Sequence, residues 1–235
     1  MSITRVQTNQ NTAATLATTV TVTLTSGVTL GNLLVVCMNW GITAVSVTPP
    51  DSSWANGAFL NGASGIQSSS IYYLVVDAAH AGQTSWTWTV SVSSKIAITV
   101  VEWNSSNGWS APLDQSATNS NSSARATVID SGTTPTTTQS EELWVASLVY
   151  GQSSQTESAL TSGWSFGEES TISATHTMRE TYNVAAATGA ADCNFTIGTS
   201  EVWGGCIATF KDKGAVVVAH YYQYIQGHHP AGGQI

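Results

Sequence analysis

Apolar and polar positions alternate with a period of two along most of this chain. In TVTVTLTS, Val20, Val22 and Leu24 fall on one face and threonines on the other, the pattern of a half-buried strand with β-branched residues on both sides. NLLVVCMNW, Asn32 to Trp40, is apolar almost throughout and predicts a strand buried on both faces. TAVSVTPP alternates again and is stopped by Pro49 and Pro50. SSIYYLVVD, TSWTWTVSV, KIAITVVEW and EELWVASLVYG follow, and after Gly163 come STISATHTMRETYNVAA, DCNFTI and VWGGCIATFK. Asn56-Gly57, Asn61-Gly62 and Asn107-Gly108 supply turn chemistry between them. Only Val75 to Ala81 hints at a helix. Many short strands with few helices predict an all-β fold, an antiparallel, jelly-roll-like β-sandwich with extended terminal arms. The divisions are an N-terminal arm over 1–18, a sandwich domain over 19–213 and a C-terminal assembly tail over 214–235. No internal repeat of the solenoid kind is visible.

The aromatic residues divide by setting. Trp86 and Trp88 share a strand face with Val90 and Val92, which suits a core. Trp40, Trp103, Trp144 and Trp203 lie in strand-like runs and are core candidates as well. Trp54, Trp109 and Trp164 lie in Gly/Ser-rich turns, and these three are the candidate ligand contacts, because an indole presents a flat apolar face on which a sugar can stack.

Composition narrows the function classes. Hydrophobic residues make up 42% of the 235 positions and charged residues 9%, against about 25% charged in an average globular protein. Polarity comes instead from Ser, Thr, Asn and Gln. The net charge is −8 with six Lys and Arg, which argues against nucleic acid and anionic membrane surfaces as partners. Cys37, Cys193 and Cys206 sit without CxxC spacing and read as small buried hydrophobes. No run of about 18 apolar residues predicts a membrane span, and the N-terminus lacks the pattern of a Sec-type signal peptide.

Chemistry-bearing motifs are scarce. Glu141-Glu142 and Glu168-Glu169 are adjacent pairs, whose side chains diverge on a strand, while a glycosidase needs two carboxylates facing across a cleft. Glu102 with Glu201 is the distant pair that could meet. Asp114 stands alone in APLDQS. No HExxH, GxSxG or phosphate loop is present among the imidazoles and glycines. His228-His229 could ligate a metal, but adjacent histidines on an extended chain diverge and read as a polar terminus. The expectation is no enzyme, no cofactor and no metal.

GNLLVVCMNW, TAVSVTPPDSSWANG, SIYYLVVDAAHAGQTSWTWTV, IAITVVEWNSSNGWSAPLDQSA, TTPTTTQSEELWVASLVYG and VWGGCIATFK, taken in order, resemble a loosely defined β-sandwich domain of phage structural proteins and bacterial surface proteins. The resemblance covers about Leu24 to Lys211. It implies a virion, tail or surface-adhesion role, a virion or extracellular location, and no catalytic residues. Members commonly stop near the ATFK strand, whereas this chain continues into AVVVAHYYQYIQGHHPAGGQI.

That continuation is apolar on both faces. Val216, Val218, His220, Tyr222 and Tyr224 share one face of an extended chain; Val217, Ala219, Tyr221, Gln223 and Ile225 share the other. Left in water, such a segment pairs edge to edge. It predicts a strand added to its own sheet, a strand docked on a neighbouring copy or wedged between copies, or a short helix using Val217, Tyr221 and Tyr224, with Val216, Val217, Val218, Tyr221, Tyr222, Tyr224 and Ile225 as the oligomer interface. The function expected is a non-enzymatic subunit of a repetitive assembly: a phage virion component (capsid decoration, tail or fibre) or an extracellular filament. Its partners would be other copies, other virion proteins or cell-surface glycans. The alternative is a carbohydrate-binding or adhesin module using exposed tryptophans.

Overall fold

The computed structural model describes residues 3–41, 45–62, 68–152, 155–173 and 176–214. Its strands are β1 (Ile3–Thr23), β2 (Leu33–Trp40), β3 (Val47–Thr48), β4 (Ala55–Leu60), β5 (Ser68–Val75), β6 (Ser85–Ser105), β7 (Trp109–Asp130), β8 (Glu142–Gly151), β9 (Glu157–Ser158), β10 (Ser165–Ser173), β11 (His176–Ala185) and β12 (Asn194–Asp212). They form two antiparallel sheets. One has the order β1-β6-β2-β5-β4, with β3 paired to β6; the other has the order β10-β11-β8-β12-β7, with β9 paired to β12. The sheets pack face to face, so the antiparallel β-sandwich expected from the alternation is the fold.

Each sheet is one contiguous half of the chain, and the halves are built alike. In both, a long first strand pairs with a long last strand. The last strand pairs on its other side with the second strand, the second with the fifth, and the fifth with the fourth. The short third strand joins the last. The ladders match residue by residue. Leu33 pairs with Trp103 as Leu143 pairs with Phe210, and Trp40 pairs with Ile96 as Tyr150 pairs with Trp203. Cys37 pairs with Ile71 as Ser147 pairs with Glu180. Trp54 and Trp164 each precede a fourth strand.

The halves face each other through a pseudo-twofold arrangement. β1 lies against β10 and its counterpart β7 lies against β4; β6 meets β10 as β12 meets β4. Ring pairs repeat the relation across the interface. Trp103 meets Tyr182 edge-on at 5.2 Å and 63°, and Phe210 meets Tyr73 at 5.4 Å and 64°. This is the isologous contact of a symmetric dimer, made here within one chain.

Three cores result. The central one mixes the halves: Leu33, Val35, Ile71 and Trp103 with Leu143, Val145, Cys206 and Phe210. The other two each belong to one half, because the long strands bend and fold back over their own sheet. Trp88, in the first part of β6, touches Tyr72 on β5 at 4.9 Å and Trp54 at 5.2 Å. Asn9 and Asn11 donate from the first part of β1 to the carbonyls of Thr23 and Thr21 in its last part. Register shifts between Ala13 and Thr19 mark the bend. Phe195 on β12 likewise returns over Tyr150 on β8, at 6.0 Å.

Several expectations need correction. Residues 3–18 are not an arm outside the sandwich but the first part of β1, laddered to β6 from Ile3 onward. Their polar, weakly periodic sequence reflects an edge strand that buries little on either side. TSWTWTVSV and KIAITVVEW are one strand, β6. Val92 is exposed rather than continuing the buried face of Trp86, Trp88 and Val90, because the strand bends there. Val75 to Ala81 holds no helix: Asp77 accepts from the Ala79 and His80 amides and closes a turn. Cys37, Cys193 and Cys206 are free, buried thiols, as expected; burial pushes Cys37 up and Cys193 and Cys206 up to about 12.

Candidate assembly site

Both long last strands finish at the same end of the sandwich. Ile3 at the start of β1 pairs with Ser105 at the end of β6, and Asp212 at the end of β12 pairs with Trp109 at the start of β7. Ser105 Oγ donates to Asp212 Oδ2 at 2.6 Å, and Asn107 Nδ2 donates to the same oxygen at 2.9 Å. Two glycines then turn the chain. Gly108 follows β6 with φ 72°, and Gly214 follows β12 with φ 70°, a left-handed backbone that glycine adopts without strain. Lys213 N donates to Gly108 O at 3.0 Å, which holds the two turns side by side. After Gly108 the chain enters β7, the first strand of the second half. After Gly214 it enters residues 215–235.

Asp212 secures this junction. Burial opposes its ionisation, but hydrogen bonds from Ser105, Gly214 N, Asn107 and Gln139 outweigh it and hold the carboxyl below its ordinary value. Behind it lies a polar nest that both halves build at matching positions. In the first half Glu102, fully buried on β6, accepts from Gln7 Nε2 at 2.6 Å, Thr29 N at 2.8 Å and Asn32 Nδ2 at 2.6 Å. In the second half Thr209 stands in place of Glu102, and Glu142 stands at the place of Asn32. Gln139 N donates to Glu142 Oε1 at 3.1 Å, as Thr29 N does to Glu102. Asp114 enters from β7. It accepts from Thr138 N at 2.7 Å, Thr138 Oγ1 at 2.5 Å and Lys211 Nζ at 3.0 Å. Burial and the neighbouring Asp114 raise Glu142 to about 7.

The proposed interface residues Val216, Val217, Val218, Tyr221, Tyr222, Tyr224 and Ile225 lie outside the described residues, as do His228 and His229. Trp54, Trp109 and Trp164 are described, and they are not exposed. Their relative exposures are 5%, 3% and 8%. Trp54 packs edge-on against Trp86 and Trp88, Trp164 tilts on Trp144, and Trp109 joins the central core. Gly/Ser-rich flanks made them look like surface turns, but each sits at a strand start whose inward face closes a core. A sugar platform on these rings therefore loses its exposed faces. Glu102 and Glu201 do not meet. Glu102 lies near the junction on the first sheet, while Glu201 lies on the second sheet near the opposite end, paired to Arg125 at 2.5 Å. His80 is pinned between Asp77 at 2.6 Å and Asp51 at 3.2 Å, tying two turns together. Among the described residues, no helix is long and apolar enough to cross a membrane.

Gly108 and Gly214 carried no weight as a pair in the sequence. The signal was present in VVEWNSSNG and IATFKDKG, two apolar strands that each close on an aromatic residue, a short polar run and glycine.

Comparison with family models, with curated proteins and with solved structures gives no match for this chain.

Proposed function

We propose that this protein is a non-enzymatic subunit of a repetitive assembly, joined to other copies through residues 215–225. One observation carries the reading: the turn at Gly214, which precedes the apolar residues 215–225 in the sequence, repeats the turn at Gly108, which precedes β7. β7 is a first strand that crosses to the other half of its own chain. Residues 215–225 follow Gly214 in the sequence as β7 follows Gly108. Strand direction supports a second copy as the receiver. The edge strands β1, β4, β7 and β10 all run away from the junction. A segment starting at the junction and following any of them would therefore run parallel to it. The sheets are antiparallel throughout, and an antiparallel addition is reached on a neighbouring molecule of opposite direction. Head-to-tail use of such a contact builds rings or filaments. A phage virion component, or an extracellular filament, is the setting this reading favours. The low charge and Ser/Thr-rich surface suit permanent exposure of the outer face.

Light scattering on size-fractionated full-length protein, and on a chain ending at Gly214, tests the reading. The expected result is oligomers for the first and monomers for the second. Monomers in both cases overturn it.

A further inference from the structure

The second polar nest at the junction differs from the first in one respect with chemical consequences. At the place where the first half meets a carboxylate with the amides of Gln7 and Asn32, the second half sets two acids, Asp114 and Glu142, beside each other. Asp114 is well supplied with donors: Thr138 twice and Lys211. Glu142 is not. Gln139 N reaches its Oε1 and the Thr209 hydroxyl also favours its charged form, but burial and Asp114 outweigh both, and no hydrogen bond of good geometry reaches the buried Oε2. A poorly supplied buried carboxylate is costly as an anion, and the neighbouring Asp114 carboxylate adds repulsion. A proton on Glu142 removes both costs, because the O–H then donates to Asp114.

We propose that Asp114 and Glu142 share one proton, and that this acid pair is a pH-sensitive clasp on the strand end that launches residues 215–235. The link to that strand end is Gln139. Its N–H holds Glu142, and its Nε2 donates to Asp212 Oδ1 at 2.9 Å, the oxygen that also accepts from Gly214 N at 2.8 Å. The charged groups around the pair are Lys211 and Asp212 from β12, with Glu141 preceding Glu142 in the chain. Lys211 is committed to Asp114, which leaves Glu142 without a cation of its own among the described residues. Burial and Asp114 raise Glu142 from 4.5 to about 7, while Asp114 is held low, chiefly by Thr138 and Lys211 against its burial. The proton therefore rests on Glu142 in mildly acidic solution and leaves near neutrality. Above that point two anions share one dry nest, and their repulsion drives Glu142, with the Gln139 bound to it, away from Asp114 and so disturbs the Gln139 bridge to the Gly214 turn. The clasp stands by itself; its effect on assembly rests on the proposed role of residues 215–225.

The direction of the pH dependence follows from linkage. A carboxyl with a folded value above its unfolded one contributes stability that is complete below about pH 4.5 and lost as pH rises to about 7. Full-length protein and its Glu142→Gln variant are compared by thermal unfolding across that span, and by amide hydrogen exchange at Gln139 and Gly214 on either side of pH 7. The wild type is expected to lose midpoint temperature with rising pH. Its protection at those amides should fall about tenfold per pH unit of the linked titration. Glu142→Gln, which cannot ionise, should show neither change. Asp114→Asn keeps the test open should the glutamine variant fold poorly: it supplies an amide as Gln7 does, and should move the wild-type transition to lower pH by at least about one unit. Identical pH profiles in wild type and either variant overturn the shared proton. Light scattering on the same samples separates the two readings. A pH-dependent clasp in a protein that stays monomeric throughout removes the assembly role and leaves the clasp. Oligomers that ignore a working clasp remove the link between them.

Discussion

Residues at matching positions in the two halves solve the same packing problem with different chemistry. Arg5 pairs with Trp103 on the β1–β6 ladder as Leu113 pairs with Phe210 on the β7–β12 ladder, and Glu180 stands where Ile71 does. One flank of the central interface is therefore ionic and the other apolar. Arg5 donates to Glu180 Oε2 at 2.9 Å and lies over the Tyr182 ring at 5.3 Å. Glu180 is fully buried, and desolvation raises its carboxyl against the pull of Arg5. Removing one partner of a buried pair strands the other, while replacing both by apolar groups is often neutral. Arg5→Leu alone should cost about 3 kcal/mol. Arg5→Leu with Glu180→Ile, which copies the opposite flank, should return to within about 1 kcal/mol of wild type. Urea unfolding of the wild type, the two single variants and the double variant measures this coupling. Additive losses in the double variant would mean that Arg5 and Glu180 act independently.

At the scale of elements, the long edge strands explain how a chain so poor in charge keeps its sheets from joining indiscriminately. β1 and β7 are edges of about twenty residues, and a long unpaired edge invites pairing. Lysine is the usual guard, but neither strand contains one. Asparagine takes the task instead. Asn9 Oδ1 accepts from Gln10 N at 2.8 Å, Asn11 Oδ1 from Thr12 N at 2.8 Å, and Asn119 Oδ1 from Ser120 N at 2.9 Å. The same Asn9 and Asn11 side chains donate across the bend to Thr23 O and Thr21 O. Each therefore occupies a backbone amide of the edge and clamps the fold-back that shapes it. Asn9→Val with Asn11→Val should lower stability by about 1–3 kcal/mol for the lost hydrogen bonds and raise aggregation more than that loss alone predicts. Turbidity against a core variant matched in stability is the comparison. Equal turbidity would show that the asparagines shape the strand without guarding it.

The whole molecule was legible in its strands and illegible in its symmetry, and the physical reason is the same. A sandwich requires alternation, and TVTVTLTS, NLLVVCMNW and EELWVASLVYG show it because burial demands it at every second position. The pseudo-twofold requires only that inward positions be apolar and mutually compatible. Trp103 can match Phe210, Trp40 can match Tyr150, and Ile71 can match Glu180, so the repeat persists in the ladders while sequence identity fades. The bends were hidden because alternation continues through β6 although its two parts serve different layers. The acid pair was hidden because Asp114 and Glu142 come together only across strands. What the repeat implies for cooperativity can be tested at the connection between the halves, Ser106 to Gly108. Each half has a core of its own, but Leu33, Val35, Ile71 and Trp103 on one side and Leu143, Val145 and Phe210 on the other share one central cluster that both sheets build. Burying a large apolar side chain is worth about 1.5–3 kcal/mol, so the central layer outweighs the loss of one covalent link. A protease site placed at Ser106-Asn107 should therefore yield, after cleavage, two fragments that elute together under native conditions and separate in denaturant. Their unfolding should remain a single transition that now depends on protein concentration. Elution of two folded fragments apart would show that the flanking cores suffice and that the central layer is an ordinary domain contact.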